Sequence, residues 1–77
     1  MKPRPIKHIA AEICEVWRPV NYGARPYLEA MLSLNTIEDD YYLDSADSII
    51  RYFLGNARTW RGEDAKRIKK ELNDLLL

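Results

Sequence analysis

Between residues 44 and 62 the apolar side chains keep one spacing without a miss. Ala46, Ile49, Ile50, Phe53, Leu54 and Ala57 stand at i, i+3, i+4, i+7, i+8 and i+11. This is one broad stripe of an α-helix, and it predicts a helix over about 45–57. Asp44 stands where an N-cap belongs, and Asp47 where a first-turn carboxylate meets the positive end of the helix. Asp47 and Arg51 are spaced to pair at i,i+4 on the other face. That face also carries Ser48, Tyr52 and Gly55. Two small residues beside an amphipathic tyrosine would admit another chain closely; the plainer reading is a solvent face.

The same period recurs elsewhere. Ile6, Ile9, Ala10, Ile13, Val16 and Trp17 form a stripe over about 6–18, with Pro5 suited to the first helical position and Pro19 to the stop. Ala24, Tyr27, Leu28, Met31 and Leu34 predict a second helix over about 24–34, with Pro26 in its first turn. Residues 35–43 form the longest irregular stretch, where Thr36 and Asp39 are spaced to cap one short turn. A last helix, about 63–76, opens with Glu63 and Asp64, continues through Lys66, Arg67, Lys69 and Lys70, and has a narrow seam of Ala65, Ile68, Leu72 and Leu75. No segment alternates as a half-buried strand would. The expected fold is therefore all-α, a small bundle of four short helices in a single domain spanning 1–77, with residues 1–4 flexible.

At 77 residues the chain has room for one small core and little else. Its one cysteine, Cys14, excludes an internal disulfide and suits a reducing compartment. The basic start, Met1 to Pro5, is followed by no apolar run of signal type, and no stretch is long enough to span a bilayer. A cytoplasmic protein with no membrane partner is the expectation.

The formal net charge is zero but unevenly spread: residues 1–25 carry +3, residues 26–50 carry −6 with no Lys or Arg, and residues 51–77 carry +3. A neutral chain lacks the overall attraction to phosphate that drives non-specific nucleic-acid binding. The acidic middle is the stronger signal.

Catalytic chemistry is hard to assemble from these residues. His8 is the only histidine, and beside Glu12 at i,i+4 it reads first as a surface residue. Cys14 lacks a partner for zinc and a base for nucleophilic attack. The carboxylates at 38, 39, 40, 44 and 47 do not have the spacing of a calcium loop. Gly23, Gly55 and Gly62 are isolated, so no phosphate loop is present. No catalytic, metal or cofactor residue is assigned, and by elimination the expectation is binding rather than enzymatic activity.

Two surfaces compete for that role. Glu38, Asp39 and Asp40, beside Tyr41 and Tyr42 and with Tyr52 nearby on the central helix, offer carboxylates with aromatic anchors to a protein partner with a basic surface. Arg58, Trp60, Arg61, Lys66, Arg67 and Lys70 offer a nucleic acid stacking and phosphate contacts. Against the second, Trp60 is equally suited to plug the core, and Glu63-Asp64 would repel phosphate at the end a recognition helix presents. The apolar tip Leu75-Leu76-Leu77 also predicts weak homodimerisation through the last helix.

The runs Arg25-Pro26-Tyr27-Leu28-Glu29-Ala30-Met31 and Tyr52-Phe53-Leu54-Gly55-Asn56-Ala57-Arg58-Thr59-Trp60-Arg61-Gly62 resemble those of short uncharacterised proteins of bacterial phages and mobile elements. The likeness extends from about Ile9 onward. It implies a bacterial or phage origin and a small host-interacting protein, such as an inhibitor of a defence system. It brings no activity and no functional residue.

Overall fold

The structure, a computed structural model, describes residues 3–76. Its helices are α1 (Ile6–Val16), α2 (Arg25–Met31), α3 (Ala46–Gly55) and α4 (Glu63–Leu75). Between α2 and α3 lies a hairpin of two short antiparallel strands, β1 (Asp40–Tyr41) and β2 (Asp44–Ser45). The architecture is thus mostly helical but not purely all-α, which corrects the sequence expectation at residues 35–45.

In α1, Ile6, Ile9, Ala10 and Ile13 are buried. Pro5 is the N-cap rather than the first helical residue. The first N–H groups of the helix are satisfied from outside: Ile6 donates to the Asn35 carbonyl at 2.9 Å and Lys7 to that of Leu34 at 2.8 Å. The helix stops at Val16, short of the expected 18, and Val16 lies at the surface. Trp17 leaves the helix in an extended conformation. Its ring stacks on Trp60, with centroids 5.0 Å apart and planes 7° from parallel, and meets Phe53 edge-on at 6.1 Å. The Arg18–Pro19 peptide is cis.

The second helix is shorter than expected at both ends. Beyond Met31 the chain tightens: Ser33 donates to Ala30 at 3.0 Å and Leu34 to Met31 at 3.1 Å, which turns Leu34 into the core. The loop before α2 abuts the end of α3. Asn21 Nδ2 donates to the Asn56 carbonyl at 3.0 Å, and a Cβ on Gly23 would come within 2.9 Å of Asn56 Oδ1.

The N-cap of α3 is Ser45, not Asp44: the Ser48 N–H donates to Ser45 Oγ at 3.1 Å. Asp44 and Ser45 both belong to β2, but α3 starts at Ala46, so Asp44 stands one residue too early for the cap. The predicted stripe faces inward, with Ala46, Ile49, Ile50, Phe53 and Ala57 buried and Leu54 packed at the core's edge. Arg51 Nε donates to Asp47 Oδ1 at 2.6 Å on the outer face, as the i,i+4 spacing predicts. The helix ends at Gly55, and Asn56 closes it by donating both its backbone N–H and its side-chain amide to the Tyr52 carbonyl.

Gly62 begins α4 at φ 113°, a left-handed conformation that suits glycine. Ala65, Ile68 and Leu72 are buried. Leu75 and Leu76 are half-buried and pack against the core within the same chain, while Leu77 lies outside the described residues. Of the expected flexible start, Met1 and Lys2 are likewise outside, and Arg4 carries ion pairs to Glu12 of α1 at 2.9 Å and Glu71 of α4 at 2.7 Å. No helix among the described residues is long and apolar enough to cross a membrane.

Candidate functional site

The hairpin projects from the turn between α2 and α3. Tyr41 pairs with Asp44, which leaves Tyr42 and Leu43 as a two-residue apex. Such turns match the twist of the flanking strands when their residues take positive φ, and Tyr42 does so at 56° without being glycine. Tyr42 is 87% exposed and Leu43 fully so. Tyr41 is half-buried against the core, and its ring meets that of Tyr42 edge-on at 4.8 Å.

Asp39 fastens the base of this hairpin. Its carboxylate accepts from the Asn35 N–H at 2.8 Å, the Thr36 N–H at 3.1 Å and the Thr36 hydroxyl at 3.2 Å. Its carbonyl accepts from the Ala46 N–H at 2.9 Å, which ties the hairpin to the start of α3. The two backbone N–H bonds, Asn35 first, hold the Asp39 carboxyl below the usual carboxylate range. The 36–39 turn therefore forms with Asp39 as the acceptor, and this carboxylate has a structural task. Glu38, Asp40 and Asp44 have none: all three are exposed and hold no ion pair among the described residues.

Tyr52, placed on the same candidate surface by the sequence, is 55% exposed and stacks on Tyr27 with centroids 5.4 Å apart. It lies seven residues beyond Ser45, about 10 Å up α3 at the ordinary helical rise. It therefore belongs to a tyrosine pair on α2 and α3, apart from the hairpin apex. Leu43 was not singled out by the sequence, because nothing local distinguishes one leucine in an irregular stretch. Only the turn geometry makes it the most exposed large apolar residue among those described.

The basic candidates are divided by the fold. Trp60 is only 5% exposed and holds its face against Trp17, so it offers no open platform for a base. Arg67 bonds Glu12 at 2.7 Å and Asp64 at 3.1 Å, and Lys70 bonds Asp74 at 3.1 Å. Arg58, Arg61 and Lys66 are exposed without ion pairs among the described residues. Glu12, read from the sequence beside His8, instead joins Arg67 and Arg4, and these hydrogen bonds hold its carboxyl below the usual range. The same pairing raises the Arg4 and Arg67 guanidinium groups above their ordinary value, Arg4 mainly through Glu71.

Cys14 is a half-buried free thiol. Among the described residues no group of three or more His, Cys, Asp or Glu side chains is placed to hold a metal ion. No protein-family model matches this chain, and no curated protein or solved structure is significantly similar to it.

Proposed function

We propose that this chain is a small non-enzymatic protein-interaction module that inserts the Tyr42–Leu43 apex of its hairpin into an apolar groove on a basic protein surface. The observation that carries this reading is the exposure of Tyr42 and Leu43 on a turn whose base Asp39 fastens. An aromatic and an aliphatic side chain held out by a pre-ordered turn lose little conformational freedom on docking. Glu38, Asp40 and Asp44 flank them with uncompensated negative charge, which speeds encounter with a cationic surface. A surface that ordinarily holds nucleic acid has that character. The likeness to phage and mobile-element proteins adds a host protein as the expected target.

Binding nucleic acid directly is the second reading. It retains Arg58, Arg61 and Lys66 but has lost Arg67, Lys70 and the Trp60 face to intramolecular contacts. The three exposed cations that remain of that set span too little of a phosphodiester backbone to grip a strand firmly.

The test is a pull-down from nuclease-treated bacterial lysate, followed by affinity measurements on the purified partner. Tyr42→Ala with Leu43→Ser should abolish binding at an unchanged melting temperature. Glu38→Gln, Asp40→Asn and Asp44→Asn together should slow association and flatten its salt dependence. Binding that survives both sets and disappears on neutralising Arg58, Arg61 and Lys66 would overturn the proposal in favour of the basic corner.

A further inference from the structure

The connector after α3 and the first turns of α4 form a half-open surface cavity of about 320 Å³ whose charged lining is entirely cationic: Arg58, Arg61, Lys66 and Lys69. Trp60 forms its apolar wall. Glu63 and Asp64 belong to the same helical turn but do not line it, and Asp64 is drawn away to Arg67 at 3.1 Å.

Arg4, Arg51, Arg67 and Lys70 each hold a carboxylate within 3.1 Å. The four cations of the cavity hold none among the described residues. Lys7, Arg18 and Arg25 also hold no carboxylate among the described residues, but Arg18 and Arg25 share their depression with Glu29, whereas this lining gathers four cations and no carboxylate. Lys69 is also fixed in place: its amino group donates to the Trp60 carbonyl at 2.7 Å and lies 5.9 Å from the centre of the Trp60 ring. Burial, and then the charge of Arg61, push the Lys69 amino group below the usual lysine range. Like charges gathered at a concave, partly desolvated site repel one another more strongly than at an open surface. A compact anion of two or more charges would relieve that repulsion, and guanidinium groups are matched to phosphoryl oxygens in shape as well as sign.

We propose that this cavity binds a small ligand through a multiply charged phosphoryl group, with Arg61 and Lys66 as principal contacts and Lys69 as the fixed cation at its wall. The site is separate from the hairpin apex and requires no change there. The volume suits a diphosphate with little else, or the diphosphate end of a nucleotide whose base remains outside. Trp60 contributes only a wall, because its face is already covered by Trp17.

Calorimetric titration of the whole chain with inorganic pyrophosphate and with ADP, at physiological salt, tests the site. Saturable binding of one pyrophosphate per chain is expected, with a dissociation constant below about 1 mM. Arg61→Gln with Lys66→Gln should weaken it by about tenfold or more at an unchanged melting temperature, since both side chains are exposed. Tyr42→Ala should leave it unaltered. Equal affinities for the two ligands would identify the phosphoryl group as all that is read, and tighter ADP would identify a nucleotide as its source. Absence of saturable heat from either, or binding indifferent to the double change, would overturn the proposal. So would affinity for oligonucleotides that exceeds that for pyrophosphate and climbs with strand length, which would assign the corner to nucleic acid.

Discussion

Asp39 and Asp40 are adjacent and identical in chemistry, set apart in the sequence only by the spacing of Asp39 from Thr36, yet the fold gives them opposite duties. Asp39 satisfies two backbone N–H groups and a hydroxyl, while Asp40 faces solvent. Asp39→Ala should therefore lower the thermal midpoint and loosen the hairpin, whereas Asp40→Ala should leave the midpoint unchanged and weaken partner binding; scanning calorimetry of the two variants separates these outcomes. Glu12 makes the same point for charge. Its pairing with Arg67 and Arg4 depresses its folded pKa, so the stability it contributes is present above the unfolded value of about 4.3 and is lost as the pH falls through the lower folded value. Because the partners are partly exposed, Glu12→Gln should cost only about 1 kcal/mol at neutral pH. Denaturant melts of this variant and the wild type should converge in strong acid. A difference that persists there would mean that Glu12 acts through packing rather than charge. Little of this was readable beforehand, since Glu12 and Arg67 stand 55 positions apart.

At the scale of elements, legibility followed periodicity. The stripe from Ala46 to Ala57 was readable because three helical turns repeat one spacing, and every member is buried except Leu54, which packs at the core's edge. The hairpin was not readable. Two-residue strands are too short to show alternation, and a Tyr42–Leu43 apex lacks the glycine or asparagine that usually marks such a turn. The α3 cap slipped by one position because the hairpin delivers the chain to the helix at Ala46, which leaves Ser45 and not Asp44 beside the first helical residue. Ser45→Ala should accordingly destabilise the protein by about 1 kcal/mol, with Asp44→Ala near neutral in the same chemical melts. The end of α1 was misjudged because Trp17 turns out of the helix to stack on Trp60, a contact that joins positions far apart in the chain. Of the candidate site, the acidic patch and its tyrosines were visible as composition. Which carboxylates are free, and that Leu43 shares the apex, required the turn.

At the scale of the whole molecule, one core carries the fold. Phe53 is fully buried and touches the Trp17–Trp60 stack, so Phe53→Ala should cost about 3–5 kcal/mol, a large part of what so small a domain can have. Loss of the cooperative far-ultraviolet melt is the expected readout. Leu75 and Leu76 pack against the same core, so a chain ending at Asp74 should melt earlier than the full chain. This division of labour, a closed core with an open acidic hairpin, underlies the proposed function. A photo-cross-linking residue in place of Leu43 tests it most directly, in nuclease-treated lysate, with Lys66 replaced in parallel. The account predicts a discrete protein adduct from position 43. That adduct should fade with added salt, be competed by the unmodified chain, and vanish when Glu38, Asp40 and Asp44 are neutralised. No adduct at 43, together with nucleic acid captured from position 66 when nuclease is omitted, would contradict it.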